Sequence, residues 1–233
     1  NEGITNIGMN AFYAIDQAVD ISIPQSVTVI KKGGLQGCES ITRLNLPNRL
    51  RSVGVDAFLF MDSCEGFYID HPQTAYRTKD GVLFNDTTLL CYPQSKADVI
   101  PYGTQIVESW SFTNPKYLTS VYIPETVVKT GGDSFANQHN KMVNPLTVVF
   151  NTTGKCQVDV GTFSHLPTRS KAMVKTQELY NQLVNETLKD NGTEGYVNTT
   201  TAEFYQQNNY DNYNAMKNMY NGVQRKVKSN EIT

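Results

Sequence analysis

Catalysis in a chain of this length would need histidine, cysteine, paired carboxylates or an activated serine, and the sequence offers few arrangements of any of them. The three histidines, His71, His139 and His165, stand apart near Pro or Asn residues, with no H-E-x-x-H, H-x-H or His/carboxylate cluster. Cys38, Cys64, Cys91 and Cys156 form no CxxC or CxxxC pair, so the spacing of a zinc site is absent. Gly131-Gly132-Asp133-Ser134 resembles the local phrase of some serine hydrolases, yet there is no G-x-S-x-G, no P-loop and no G-x-G-x-x-G. Asp56 and Asp62 could be offered as a glycosidic acid and base, or read as solvated loop carboxylates. The residues therefore predict no catalytic site, no metal site and no cofactor, and the chain is expected not to be an enzyme.

Charge removes other classes of function. The 233 residues carry 20 Lys+Arg against 22 Asp+Glu, a net charge of −2, so no global field gathers phosphate backbones or anionic lipid. Nucleic acid is not an expected partner. Charged residues are only 18% of the chain, and its polarity comes from 22 Asn, 24 Thr and 13 Tyr. Apolar runs are a few residues long, so no membrane span is expected. Asn1-Glu2-Gly3 has neither a basic nor an apolar leader region, and Asn1 in place of Met favours removal of something upstream, an export signal or part of a larger protein.

The elements that must position any site come from an internal repeat. Ile23-Pro24 and Leu46-Pro47 are 23 residues apart, as are Ile100-Pro101 and Ile123-Pro124. Phe12, Leu35 and Phe58 step by 23, and so do Phe112 and Phe135. Five residues earlier stand Ile7, Ile30, Val53, Val107 and the polar exception Thr130, and just before each aromatic slot is a small residue: Ala11, Gly34, Ala57, Ser111 or Ser134. Each unit ends in a short alternating run, such as Leu44-Asn45-Leu46-Pro47 or Val121-Tyr122-Ile123-Pro124, which reads as a strand with one buried face. One such strand per unit buries little alone. Stacking the units as parallel rungs about 4.8 Å apart lines the apolar slots into a continuous core, so the pattern predicts a solenoid.

The segment "IPQSVTVIKKGGLQGCESITRLNLP" and its phased companions resemble the BspA-type leucine-rich repeat over about Ile4 to Phe150. Leu35 in place of Phe, Thr130 in place of an apolar residue, Asp70 in place of Pro and extra residues around Asn137 to Pro145 depart from the pattern. The expected fold is thus α/β, a leucine-rich-repeat solenoid of short parallel strands occupying 1–167, with a β-hairpin insertion at about 73–100 and a helical cap or extension at 168–233. The hairpin is read from Asp80 to Pro93, two apolar runs around Asn85-Asp86-Thr87-Thr88, and is similar to inserts of this family, a modified rung rather than a second domain. The resemblance implies an exported, extracellular or cell-surface microbial protein used for adhesion or other contacts with a host or matrix protein. A carbohydrate-binding accessory role in glycan uptake is the alternative.

The solenoid reading places Asp20, Arg43, Gly66 and Ser120 in one outward row and Ser22, Asn45, Tyr68 and Tyr122 in the next. Ser22, Arg43, Asn45, Tyr68 and Tyr122 are the candidate ligand-binding face, with the two tyrosines as aromatic anchors or, equally, as ordinary strand residues. Ser134 shares the slot of Ala11 and Ala57, where a nucleophile would be walled in. Cys38, three residues past the aromatic slot, and Cys64, in the slot of Ile41, read as buried free thiols or as a disulfide between rungs. Beyond Pro167, Val174, Leu179, Leu183 and Leu188 within Lys171 to Lys189 predict an amphipathic helix ending at Asp190-Asn191-Gly192. Tyr213, Met216, Tyr220, Val223 and Val227 form a short helical stripe for a partner or, preferably, for the solenoid end. Five N-x-[ST] sequons match what this composition yields by chance.

Overall fold

The computed structural model describes residues 3–93, 99–112, 118–136, 142–152, 156–187 and 200–204. The stripe from Tyr213 to Val227 lies outside them, as do His139 and the expected helix end at Asp190-Asn191-Gly192.

Before the insert, the chain runs through β1 (Asn6–Ile7), β2 (Val29–Ile30), β3 (Arg43–Asn45), β4 (Ser52–Val53) and β5 (Gly66–Tyr68). All pairing here is parallel and in the 23-residue register: Ile7, Ile30 and Val53 stack in one ladder, and Leu44 pairs with Phe67 in the other. The repeat thus forms two strands per turn where the alternating phrase alone predicts one. The second ladder runs through the apolar position five residues before the aromatic slot, where one inward side chain per rung suffices to register a two-residue strand. Leu35, Ile41, Leu44, Leu50 and Phe67 are fully buried, whereas Ile4, in the slot of the buried Val27 and Leu50, is 47% exposed at the first rung.

The insert holds the expected hairpin and one strand more. β6 (Tyr76–Lys79), β7 (Val82–Asn85) and β8 (Thr88–Cys91) form an antiparallel meander. Asp80 and Gly81, at φ 50° and 79°, make the left-handed two-residue turn that matches strand twist. β7 is buried on both faces. Successive strand side chains point opposite ways, so Leu83 enters the N-terminal core while Val82 and Phe84 enter the C-terminal one. β8 then turns the meander back into the solenoid by pairing in parallel with β9 (Ile106–Val107).

After the insert come β10 (Ser120–Ile123), β11 (Lys129–Thr130), β12 (Thr147–Phe150), β13 (Gln157–Val158) and β14 (Lys171–Val174). The parallel ladders persist, but the steps become irregular: Ser120 pairs with Thr147 and Thr147 with Lys171. Tyr92, Phe112, Phe135 and Phe163 form a ladder of rings with centroids 4.7, 4.9 and 6.1 Å apart. Lys171–Val174, read from sequence as the start of a helix, is instead a rung strand, because Ala172 and Val174 fill inward slots. Helix α1 (Gln177–Gln182) begins after it, capped by the Thr176 hydroxyl accepting from Leu179 N–H, and a π-helical turn, Leu183–Thr187, follows. Leu179 and Leu183 are fully buried, as their spacing predicts. β15 (Thr201–Phe204) adds another parallel strand beside β14, so the ladder runs on past residue 167. Among the described residues no helix is long and apolar enough to cross a membrane.

Candidate binding face

Among the described residues Ser134, the four cysteines and Asp56 are buried or engaged, and His71 stands exposed. Ser134 is fully buried in its repeat slot, its hydroxyl without a hydrogen-bond partner, so no substrate reaches it. All four cysteines are free and buried, so Cys38 and Cys64 are not bridged. Burial pushes the Cys64 thiol up to about 11 and the Cys156 thiol up to about 12, far from the reactive range. Asp56 faces Lys32 at 3.7 Å, and the cavity beside Asp56 does not include Asp62. Among the described residues no group of three His, Cys, Asp or Glu could hold a metal. Asn151, in one sequon, is held from both sides, donating to Glu125 and accepting from Lys175.

That cavity, about 100 Å³, has a topological cause. Ordinary rungs take five residues from the inward strand position to the aromatic slot, as from Val107 to Phe112, and the insert takes three, Leu89 to Tyr92, while pairing with those same two positions. Its rung lacks the outer corner. The corners of the neighbouring rungs, with Asp56 and Trp110 both left-handed at φ 60° and 59°, are left facing each other across Leu90 and Cys91.

The outer faces of the strand ladders differ in their exposure. On β3 and β5, Arg43, Asn45 and Tyr68 point away from the core, with the first two exposed and Tyr68 half-buried; Ser22, which precedes them in the row, is exposed but lies outside any strand. The Arg43 guanidinium carbon sits 3.5 Å from the centroid of the Tyr68 ring. Gly66 permits this: a Cβ there would stand 2.7 Å from the Tyr68 hydroxyl. Four of the five residues chosen from sequence are thus open or partly open on the N-terminal face.

Tyr122 is a correction. It points outward from β10, as its register requires, but is only 8% exposed, forming a separate small apolar cluster with Val149 and Met173 against which Val99 packs. Thr147, Val149, Lys171, Met173 and Glu203 complete this C-terminal face with Thr119, Ser120 and Tyr122, around a recess of about 330 Å³, and the Lys171–Glu203 ion pair at 2.9 Å rims it. Sequence reading missed these five because the 23-residue step fails here and no I-x-I-P phrase marks the strands. The non-alternating Thr147-Val148-Val149-Phe150 was the available signal for a strand apolar on both sides.

Comparisons with other proteins agree with this architecture. The chain resembles the crystal structure of a leucine rich cell surface protein from Faecalibacterium prausnitzii, with a TM-score of 0.58 at 17% identity, over 91% of this chain and 60% of that one. It also resembles the pneumococcal vaccine antigen PcpA, with a TM-score of 0.51 at 15% identity, over 87% of this chain and 66% of that one. The chain therefore spans less than two thirds of the length of the first of these relatives. No curated protein matches it in sequence. The model of the BspA type leucine rich repeat region matches residues 1–95 and 94–148 in six copies, and the chain, whose ladders before the insert keep the 23-residue register, belongs to the BspA type leucine-rich repeat family.

Proposed function

We propose that the chain is a noncatalytic protein-binding module that takes its ligand on the outer face of the strand ladders, and that the protein it comes from works in adhesion at a cell surface, on a host or matrix protein. The observation that carries this reading is the N-terminal face, where Arg43, Asn45 and Tyr68 project from paired strands. A rigid row with one side chain per rung loses little freedom on association. The description of the Faecalibacterium relative as a cell surface protein supports the location. Burial of Ser134 and the cysteines, and the pairing of Asp56 with Lys32, support a noncatalytic role. One face of the Tyr68 ring is taken by Arg43, which does not favour a sugar stacked there, so the protein ligand is preferred over a glycan.

The test is binding of purified chain to immobilised matrix proteins and to a glycan array, with Arg43→Ala, Asn45→Ala and Tyr68→Ala combined. Saturable binding to a matrix protein, lost in the triple variant while the circular dichroism spectrum is retained, is expected. Binding confined to glycans, or matrix binding unchanged by the triple variant, overturns the assignment.

A further inference from the structure

Resting on the reading of this sheet as the binding face, we propose that Arg43, stacked on Tyr68, is a preorganised receptor for a single carboxylate, an Asp or Glu side chain of a protein ligand. Among the described residues Arg43 has no carboxylate within ion-pair distance, and its guanidinium carbon lies over the Tyr68 ring at 3.5 Å. Asp20, which precedes it in the same row, is exposed and makes no ion pair with it. A guanidinium held flat on an aromatic ring keeps its N–H edge free for a bidentate acceptor, and the ring limits the side-chain freedom lost on binding. Gly66 is part of the device. It is the residue paired across the strands with Arg43, and its missing side chain is what lets the Tyr68 ring reach the place where the guanidinium stacks.

The surroundings select the kind of anion. Ser22, Asn45, Gly66 and Tyr68 are uncharged, and the one carboxylate of these rows, Asp20, makes no ion pair with Arg43, so the face presents a single cation in a chain of net charge −2. A polyanion such as a nucleic acid or a sulfated glycan needs several cations in register, which this face does not present. One carboxylate matches one guanidinium fork, with Asn45 beside it as a neutral donor and acceptor.

The experiment is selection from an immobilised hexapeptide library on an uncharged Gly/Ser/Thr/Leu/Tyr background, in which one position is fixed as Asp or Glu, or as Asn or Gln. Wild-type chain should retain the carboxylate peptides and not their amides. Arg43→Gln should weaken the selected peptide roughly 10- to 100-fold, the range of a charge-assisted hydrogen bond. Arg43→Lys should recover only part of that, because it keeps the charge and loses the planar fork. Gly66→Ala, which displaces the ring without removing a charge, should weaken binding several-fold. Arg43 is exposed, so its variants are expected to keep the wild-type melting temperature. Failure of wild-type chain to prefer carboxylate peptides, preference for a sulfated polyanion added as competitor, or full binding by Arg43→Gln overturns the inference. If Arg43→Gln binds a matrix protein normally while the Asn45→Ala, Tyr68→Ala pair does not, the carboxylate receptor fails and the binding face stands; if neither matters, both fail.

Discussion

Before the insert, the aromatic slot is filled by Phe12, Leu35 and Phe58 beside Ala11, Gly34 and Ala57; after it, by Phe112, Phe135 and Phe163 beside Ser111, Ser134 and Thr162. The first stack keeps a strict 23-residue register and leaves its outer sheet face open. The second has irregular steps, a ladder of rings in contact inside, and an outer face closed around Tyr122, Val149 and Met173. The rungs of the second stack still pair in parallel across the longer steps, so the extra residues fall between its strands and not within them. Strict period and an open, regular outer row go together.

The sharpest way to break this contrast is to delete the slot residue in each half. Phe135→Ala is expected to cost about 3–5 kcal/mol and Leu35→Ala about 2–5 kcal/mol in urea unfolding. Because β7 gives Leu83 to one core and Val82 and Phe84 to the other, both variants should shift the same single transition. Trp110, the one tryptophan of the chain, sits at a corner of the second stack that faces the first across the cavity. A Leu35→Ala transition seen by circular dichroism but not by Trp110 fluorescence would show that the two stacks unfold separately.

Alkaline pH probes both halves through their thiols. The Cys64 and Cys156 thiols are neutral in folded and unfolded chain below the ordinary value of 9.0, so their contribution is fully present there. Above it the unfolded thiol ionises first, and stability falls until pH passes about 11 for Cys64 and about 12 for Cys156. The loss should amount to roughly 3 kcal/mol for Cys64 and roughly 4 kcal/mol for Cys156 once pH has passed those values. Cys156→Ala should make the decline of urea midpoint between pH 9 and 11 shallower; an unchanged slope would remove burial as its cause.

The hydroxyls beside the second stack's slots offer a subtler exchange. Ser111, Ser134 and Thr130 have buried hydroxyls without hydrogen-bond partners, whereas Thr162 donates to the Asp159 and Gly131 carbonyls. Ser134→Ala and Thr130→Val should each stabilise by about 1 kcal/mol, and Ala57→Ser in the first stack should destabilise by a similar amount. Thermal melts in which Ser134→Ala lowers the midpoint would mean that the hydroxyl is satisfied. The smallest expected effect lies at the corners. Ala14 holds φ 55° where Gly37 occupies the next rung, so Ala14→Gly should stabilise by about 0.5–1 kcal/mol, read as a small rise in urea midpoint.

Legibility followed periodicity. The inward slots from Ile7 to Phe135, the hairpin turn and the buried character of Ser134 could all be read because each rests on position within a repeat. Phe163 and the strands at 147–150 and 171–174 were not legible: their steps from the previous rung differ from 23, and Lys171-Ala172-Met173-Val174 carries helix formers whose inward slots override local propensity. Tyr68 and Tyr122 occupy the same repeat position, and the sequence gives no means of telling them apart.

The sequence by itself determined the period, the side chains facing inward and the direction in which Arg43, Tyr68 and Tyr122 point, since strand alternation and a repeated slot are local properties of the chain. The fate of those outward side chains was decided by the tertiary structure. Gly66 lets Tyr68 meet Arg43, Val99 returns to pair beside Tyr122, and a meander crossing the chain's middle faces two cores and deletes one corner. Each of these depends on segments brought together by the stack, and exposure is a property of such neighbours rather than of the residue that has them.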